Sequence, residues 1–197
     1  LFSYLAGFLC HYAMDGEAHP YIIYETTEVC SRKEAHRAFE HVLDRRTLEK
    51  AGLGTGNHPV TDQCVPVMKL PKVMEDGLDG AYGKVYGWTG VRQELNRCYG
   101  LFRLLYRFMD SRYGIVSLLV KLVGNDLMKS LSYHYGYLLD YDVENKEHRE
   151  WHSAYDPETV SRDSFEDMRQ RAADKAVKMI TAARDYVEGR ITAEELA

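Results

Sequence analysis

His11, Asp15, His19, His36 and Glu40 have the residue types and spacing of metal ligands. His11 and Asp15 stand four residues apart, and so do His36 and Glu40. On a helix such a pair projects from one face, with β-carbons roughly 5–6 Å apart, so both side chains can grip one ion. A histidine and a carboxylate at this spacing also form an ordinary solvated pair. Two features favour a metal. His11 and Asp15 sit among Phe8, Leu9, Tyr12 and Met14, where an unpaired carboxylate is costly and an ion is one partner that compensates it. Two histidines with one carboxylate are also a known zinc set that leaves a position open for water. His19 lies just past the first pair, before Pro20, where a turn can fold it back.

Other candidates carry less. Asp44 follows Glu40 by one turn and can hydrogen-bond a liganding histidine from behind, or pair with Arg45 at the surface. His41 is read as solvent-facing, His58 as a loop residue, His134 as packing in the aromatic run "YHYGY", and Glu17 as a turn residue. The 15 tyrosines offer rings for a choline-like cation, although packing is their plainer role. Cys10, Cys30, Cys64 and Cys98 form no CxxC pair. A zinc ribbon and a disulfide framework are therefore not indicated, and buried free thiols are expected.

The elements that must hold these residues read as helices. Residues 1–15 place Leu1, Leu5, Phe8, Leu9 and Tyr12 at helical spacing, and Gly16 to Pro20 reads as a turn. Leu1 already belongs to this apolar pattern without a cap, so the chain reads as the C-terminal part of something longer. A second helix is expected over 32–50, ending before Gly52. An irregular connection follows over 52–90, with a short helix near Met68 to Leu78. Further helices are expected over about 90–110 and 114–133, then an aromatic and charged loop over 134–160. A last long helix begins at an Asp163 cap with Glu166 completing a capping box, and Gly189 ends it. Thr192 and Glu195 repeat the box for a short tail. The expected fold is all-α: one domain of 197 residues, with ligand helices in 1–50 and supporting helices in 91–197.

The formal net charge is −5 with no long basic run, which weighs against a general nucleic-acid surface. It leaves a phosphate-bearing substrate open, because ions supply positive charge locally. The apolar runs Leu1 to Met14 and Ile115 to Val123 are shorter than the roughly 20 residues a bilayer span needs. The first lacks the basic start of a signal peptide.

The order "HYAMDGEAHPY" then "EAHRAFEHVLD" resembles the zinc-dependent phospholipase C family, which is related to the S1/P1 nucleases. The "HYxxDxxxHPY" pattern is similar to that of bacterial members. "NKEHREWHSAYDP" followed by "DSFEDMRQRA" resembles the family's closing segment, in which Asn145, His148 and Trp151 are taken as structural. The resemblance implies that His11 and Asp15 serve a pair of zinc ions bridged by Asp15. It implies that His19, His36 and Glu40 hold a third. The implied activity is phosphodiester hydrolysis by metal-activated water attacking phosphorus in line, with Asp15 essential. A phospholipid or another phosphodiester is the implied substrate. The family takes its remaining ligands from residues ahead of this motif, and nothing here supplies them. Only the third-ion site can be completed. A non-catalytic zinc-binding domain and a nuclease-type phosphodiesterase are the alternatives. Free cysteines and no visible signal slightly favour the cytoplasm, although well-known relatives are secreted.

Overall fold

The computed structural model describes residues 1–29, 35–53, 69–109, 122, 138, 140–156 and 158–196. These are mostly helical, as expected. α1 spans Phe2–Tyr24 and runs into a π-helical turn, Glu25–Val29. α2 spans Ala35–Lys50, α3 Lys72–Tyr86 and α4 Val91–Met109. α5 spans Phe165–Val187 and α6 Ala193–Leu196. Two short strands, β1 Trp151–His152 and β2 Val160–Ser161, pair antiparallel with Trp151 opposite Ser161. The chain groups into two compact units. One is Leu1 with Asp44–His134; the other is Phe2–Leu43 with Tyr135–Ala197.

α1 departs from the expected turn at Gly16 to Pro20: it is helical throughout, with Pro20 inside it. Proline lacks the N–H that would bond the Gly16 carbonyl, at about 3 kcal/mol in a helix interior. Buried side chains on either side offset this. Ala18 precedes the proline, and Tyr21 and Ile22 follow it. Upstream, the apolar stripe is helical but not buried. Phe2, Leu5, Phe8 and Tyr12 are exposed, and Ala13 is the first fully buried residue of the helix. From Ala13 onward α1 packs on α5, where Ala13, Ala172 and Ala176 meet with Met14 and Met179 beside them. Small residues let the helices approach closely. At the edge of this contact Glu17 pairs with Arg171 (3.0 Å) and Lys175 (3.7 Å).

Caps explain the helix ends. Leu53 N–H bonds the Leu48 carbonyl and Gly52 N–H the Glu49 carbonyl. With Gly52 at φ +71°, this closes α2 in a Schellman motif. α3 is longer than the short helix expected and lies further along the chain. It passes through Gly77, Gly80 and Gly83 and stops at Gly87 in the left-handed conformation. Arg92 at the start of α4 ties to α3 through Asp76 (2.5 Å). The box of α5 is one residue later than expected. Ser164 caps it and Asp167 returns the bond. The Asp163 carbonyl instead accepts from Asn145 Nδ2 and Trp151 Nε1, which holds that residue outside the helix. Gly189 (φ +71°) follows α5, and the Thr192–Glu195 box is present. The helix expected over 114–133 lies outside the described residues except for exposed Leu122. Among the described residues no helix is long and apolar enough to cross a membrane.

Behind the ligand-bearing helices the segment 140–152 forms a polar lock. Asn145 is fully buried. Its amide donates to the carbonyls of Arg149 and Asp163 (3.0 Å each) and accepts from Arg149 N–H (2.9 Å). Asn145 and His148 both take positive φ (50° and 52°), a conformation asparagine tolerates better than most residues. Aromatic rings join this lock to both ligand helices. Tyr21 meets Phe39 edge-on (5.9 Å) and Trp151 (5.4 Å), and Phe39 meets Tyr141 (6.5 Å). Tyr21 Oη donates to the Val143 carbonyl (3.1 Å). Buried Glu25 accepts from Tyr141 Oη, which accepts in turn from Arg149 (2.9 Å). Desolvation holds the Glu25 carboxyl above the usual carboxylate range; Tyr141 and Arg149 only partly offset it.

Two outcomes follow from this lock. Asn145→Ala should lower stability by about 3 kcal/mol in urea denaturation, since it orphans buried backbone groups and strains a left-handed position. Asn145→Gly, which keeps that backbone freely, should lose less. Through burial, Glu25 holds its protonated form more easily in the fold than in the unfolded chain. Its contribution is therefore fully present below the ordinary glutamate value of 4.5 and is lost as pH rises through the raised folded value. Glu25→Gln should remove that loss, so urea midpoints above pH 4.5 should fall less steeply than in the wild type.

Candidate metal centre

α1 and α2 each bring one turn of chemistry to a shared edge. Asp15 and His19 lie one turn apart on α1, and His36 and Glu40 one turn apart on α2. Neighbouring residues are buried and anchor both turns: Ala18, Tyr21 and Ile22 on α1, and Ala35, Ala38 and Phe39 on α2. The ligand side chains themselves stay partly exposed, His19 at 24%, His36 at 36% and Glu40 at 39%. The site is fixed from below and open to water above.

His36 Nε2 lies 3.2 Å from Glu40 Oε1, and His19 Nε2 lies 3.7 Å from the same oxygen. The two imidazoles stack, with centroids 5.3 Å apart and 23° between planes. One ligand atom from each of His19, His36 and Glu40 falls within 4.8 Å of the others. Around a tetrahedral zinc, with bonds near 2.0–2.2 Å, neighbouring ligand atoms stand about 3.3–3.5 Å apart. The two N···O distances bracket that value, and all three donor atoms lie close enough together to hold one ion. Two neutral nitrogen donors with one carboxylate also suit zinc chemically.

Asp15 lies beside this group, one turn before His19 on α1. Its Oδ1 is 2.8 Å from His19 Nδ1, on the far side of the ring from Glu40. His11 is exposed on α1. Among the described residues no other three such side chains converge. Asp44 is exposed on α2, and His41 is half-buried rather than solvent-facing. His148 Nδ1 meets the Arg162 carbonyl (2.9 Å), and Trp151 Nε1 bonds Asp163. Glu17 is helical, not in a turn. His58 and His134 lie outside the described residues, as do Cys30 and Cys64. Cys10 and Cys98 are exposed, not buried.

The residues missed by sequence reasoning are Glu25, Tyr141 and Arg149. Glu25 and Tyr141 are 116 positions apart, and no local pattern joins them. No family model matches the chain, and no curated protein or solved structure matches it.

His36→Ala should weaken zinc binding at least 10-fold, as loss of one of three protein ligands requires, whereas His11→Ala should leave it within about twofold. Competition titration against a chromogenic chelator decides this. Equal losses would refute the assignment.

Proposed function

We propose that the chain is a zinc-dependent phosphodiester hydrolase of phospholipase C type, with one ion held by His19, His36 and Glu40. The observation that carries the reading is the convergence of three donor atoms from two helices within 4.8 Å of one another, with both N···O pairs near the spacing a tetrahedral ion imposes. A zinc bound there supplies Lewis acidity, lowering the pKa of a coordinated water and offsetting phosphoryl charge.

The chain's own residues do the positioning. Buried Phe39 and Ala38 hold the α2 turn so that His36 and Glu40 project together. Tyr21, locked to Val143, fixes the α1 turn that carries His19. The partial exposure of all three ligands leaves an open side for substrate. A phosphodiester anion approaching a chain of net charge −5 needs such a local cation to reach the surface. Phospholipid is the favoured substrate, because no basic stripe in the sequence serves a nucleic-acid backbone.

A second reading is a non-catalytic zinc-binding helical domain. It is favoured by the single group of convergent ligands among the described residues.

Elemental analysis of the purified protein should find about one zinc per chain. The zinc-loaded protein should hydrolyse a chromogenic phosphodiester and a phosphatidylcholine analogue, with His36→Ala abolishing both. Cleavage of single-stranded DNA in preference to the lipid analogue would shift the reading to a nuclease. One zinc with no hydrolysis of either substrate would leave the structural reading.

A further inference from the structure

We propose that the exposed aromatic cluster where α3 passes into α4 is a membrane-interface anchor that seats the protein on a zwitterionic phospholipid surface. The inference deepens the hydrolase reading above and rests on it for the choice of phospholipid.

Tyr82 and Tyr86 stand one turn apart on α3, and Trp88 follows the left-handed Gly87 that ends it. The three rings pack on one another. Trp88 stacks on Tyr82, with centroids 5.5 Å apart and 8° between planes, and its centroid is 5.3 Å from that of Tyr86. The two tyrosines are 5.8 Å apart. The chain here turns back along α3. The Trp88 carbonyl comes within 3.4 Å of where a β-carbon on Gly83 would stand, so glycine allows the close approach. The segment that carries Trp88 is held at both ends. The Gly87 N–H bonds the Gly83 carbonyl. Four residues beyond Trp88, the Arg92 N–H donates to Asp79 Oδ1 (3.1 Å), and the Arg92 guanidinium pairs with Asp76.

This ordered cluster is turned to water. Val85 is 68% exposed, Tyr86 63% and Trp88 57%. The run from Val85 to Val91 carries no charge. Rings already fixed lose little freedom when a partner arrives, and fixed apolar groups at a surface mark an interaction site. Two arguments choose the partner. The first is size. A stable protein–protein contact takes about 800 Å² from each side, and half-exposed Val85, Tyr86 and Trp88 fall short of it. A lipid interface has no such threshold. Trp and Tyr rings settle there one by one, apolar body inwards and N–H or O–H towards water. The second is charge. Anionic bilayers select basic clusters, whereas this run is neutral and the chain has net charge −5. A zwitterionic surface makes no such demand. Lys84, exposed just before the run, can extend to a lipid phosphate while its stem stays on the apolar side.

The test uses phosphatidylcholine vesicles, with and without brominated acyl chains. The chain has two tryptophans, and Trp151 is buried, so a change in emission on binding reports Trp88. Wild-type emission should shift to the blue and be quenched by the brominated lipid, and Trp88→Phe should remove the quenching. Co-sedimentation with vesicles should weaken about 10-fold in Trp88→Ala and in Val85→Glu. Val85→Glu leaves the rings in place and only adds a charge at an exposed position. Both variants should keep wild-type circular dichroism and wild-type hydrolysis of a soluble phosphodiester. No binding by the wild type, or equal binding by both variants, would overturn the proposal. So would binding confined to anionic vesicles and abolished by salt. A concentration-dependent dimer lost in Trp88→Ala would assign the cluster to a second copy and also overturn it. Vesicle binding that needs Trp88, without hydrolysis of any phosphodiester, would refute the hydrolase reading and leave the anchor standing.

Discussion

The ligand-bearing unit depends on α1 remaining helical across Pro20. A helix that broke there would place His19 outside the register of Asp15 and release Tyr21 from the core. Proline withdraws one hydrogen bond and crowds the preceding turn. The structure compensates on both sides. The Ala13, Ala172 and Ala176 contact clamps the helix before the proline. After it, Tyr21 is fully buried and hydrogen-bonded to Val143. Thr26 in the π-helical turn donates its hydroxyl to the Ile22 carbonyl (2.7 Å), which occupies an acceptor where the helix is ending. The helix and the turn after it therefore serve three tasks in sequence: packing at Ala13, presentation of Asp15 and His19 one turn apart, and anchoring at Tyr21 and Glu25.

The anchoring end explains why so much buried polarity is kept behind the site. Glu25, Tyr141 and Arg149 form a chain of hydrogen bonds, with the Arg149 guanidinium 4.8 Å from the centre of the Tyr141 ring. Arg149 also donates to the Asp142 carbonyl (3.0 Å). Such networks define geometry sharply when satisfied and are costly when broken. Glu25 is too enclosed to meet a substrate. Its burial and its partners give it the role of a tether between the end of α1 and the 140–150 segment. Asn145 does the same for that segment and the start of α5. A metal site needs ligands fixed to within tenths of an ångström, and rigid surroundings of this kind supply that.

Much of this was legible in the chain and some was not, for physical reasons. Four-residue spacing tells which side chains share a helical face, so the His36/Glu40 pairing was readable, whereas the contact found for Asp15 is with His19. The α4 span and the Thr192–Glu195 box were readable because each is set by local pattern. The turn assigned to Gly16–Pro20 failed because local breaker signals were outweighed by tertiary burial of Ala18, Tyr21 and Ile22. The shifted cap at Ser164 failed likewise: two distant donors claim the Asp163 carbonyl, and only the fold brings them there. Spacing also limits Asp15 to a face without saying which atom it meets. Its contact with His19 depends on the helix continuing through the expected turn.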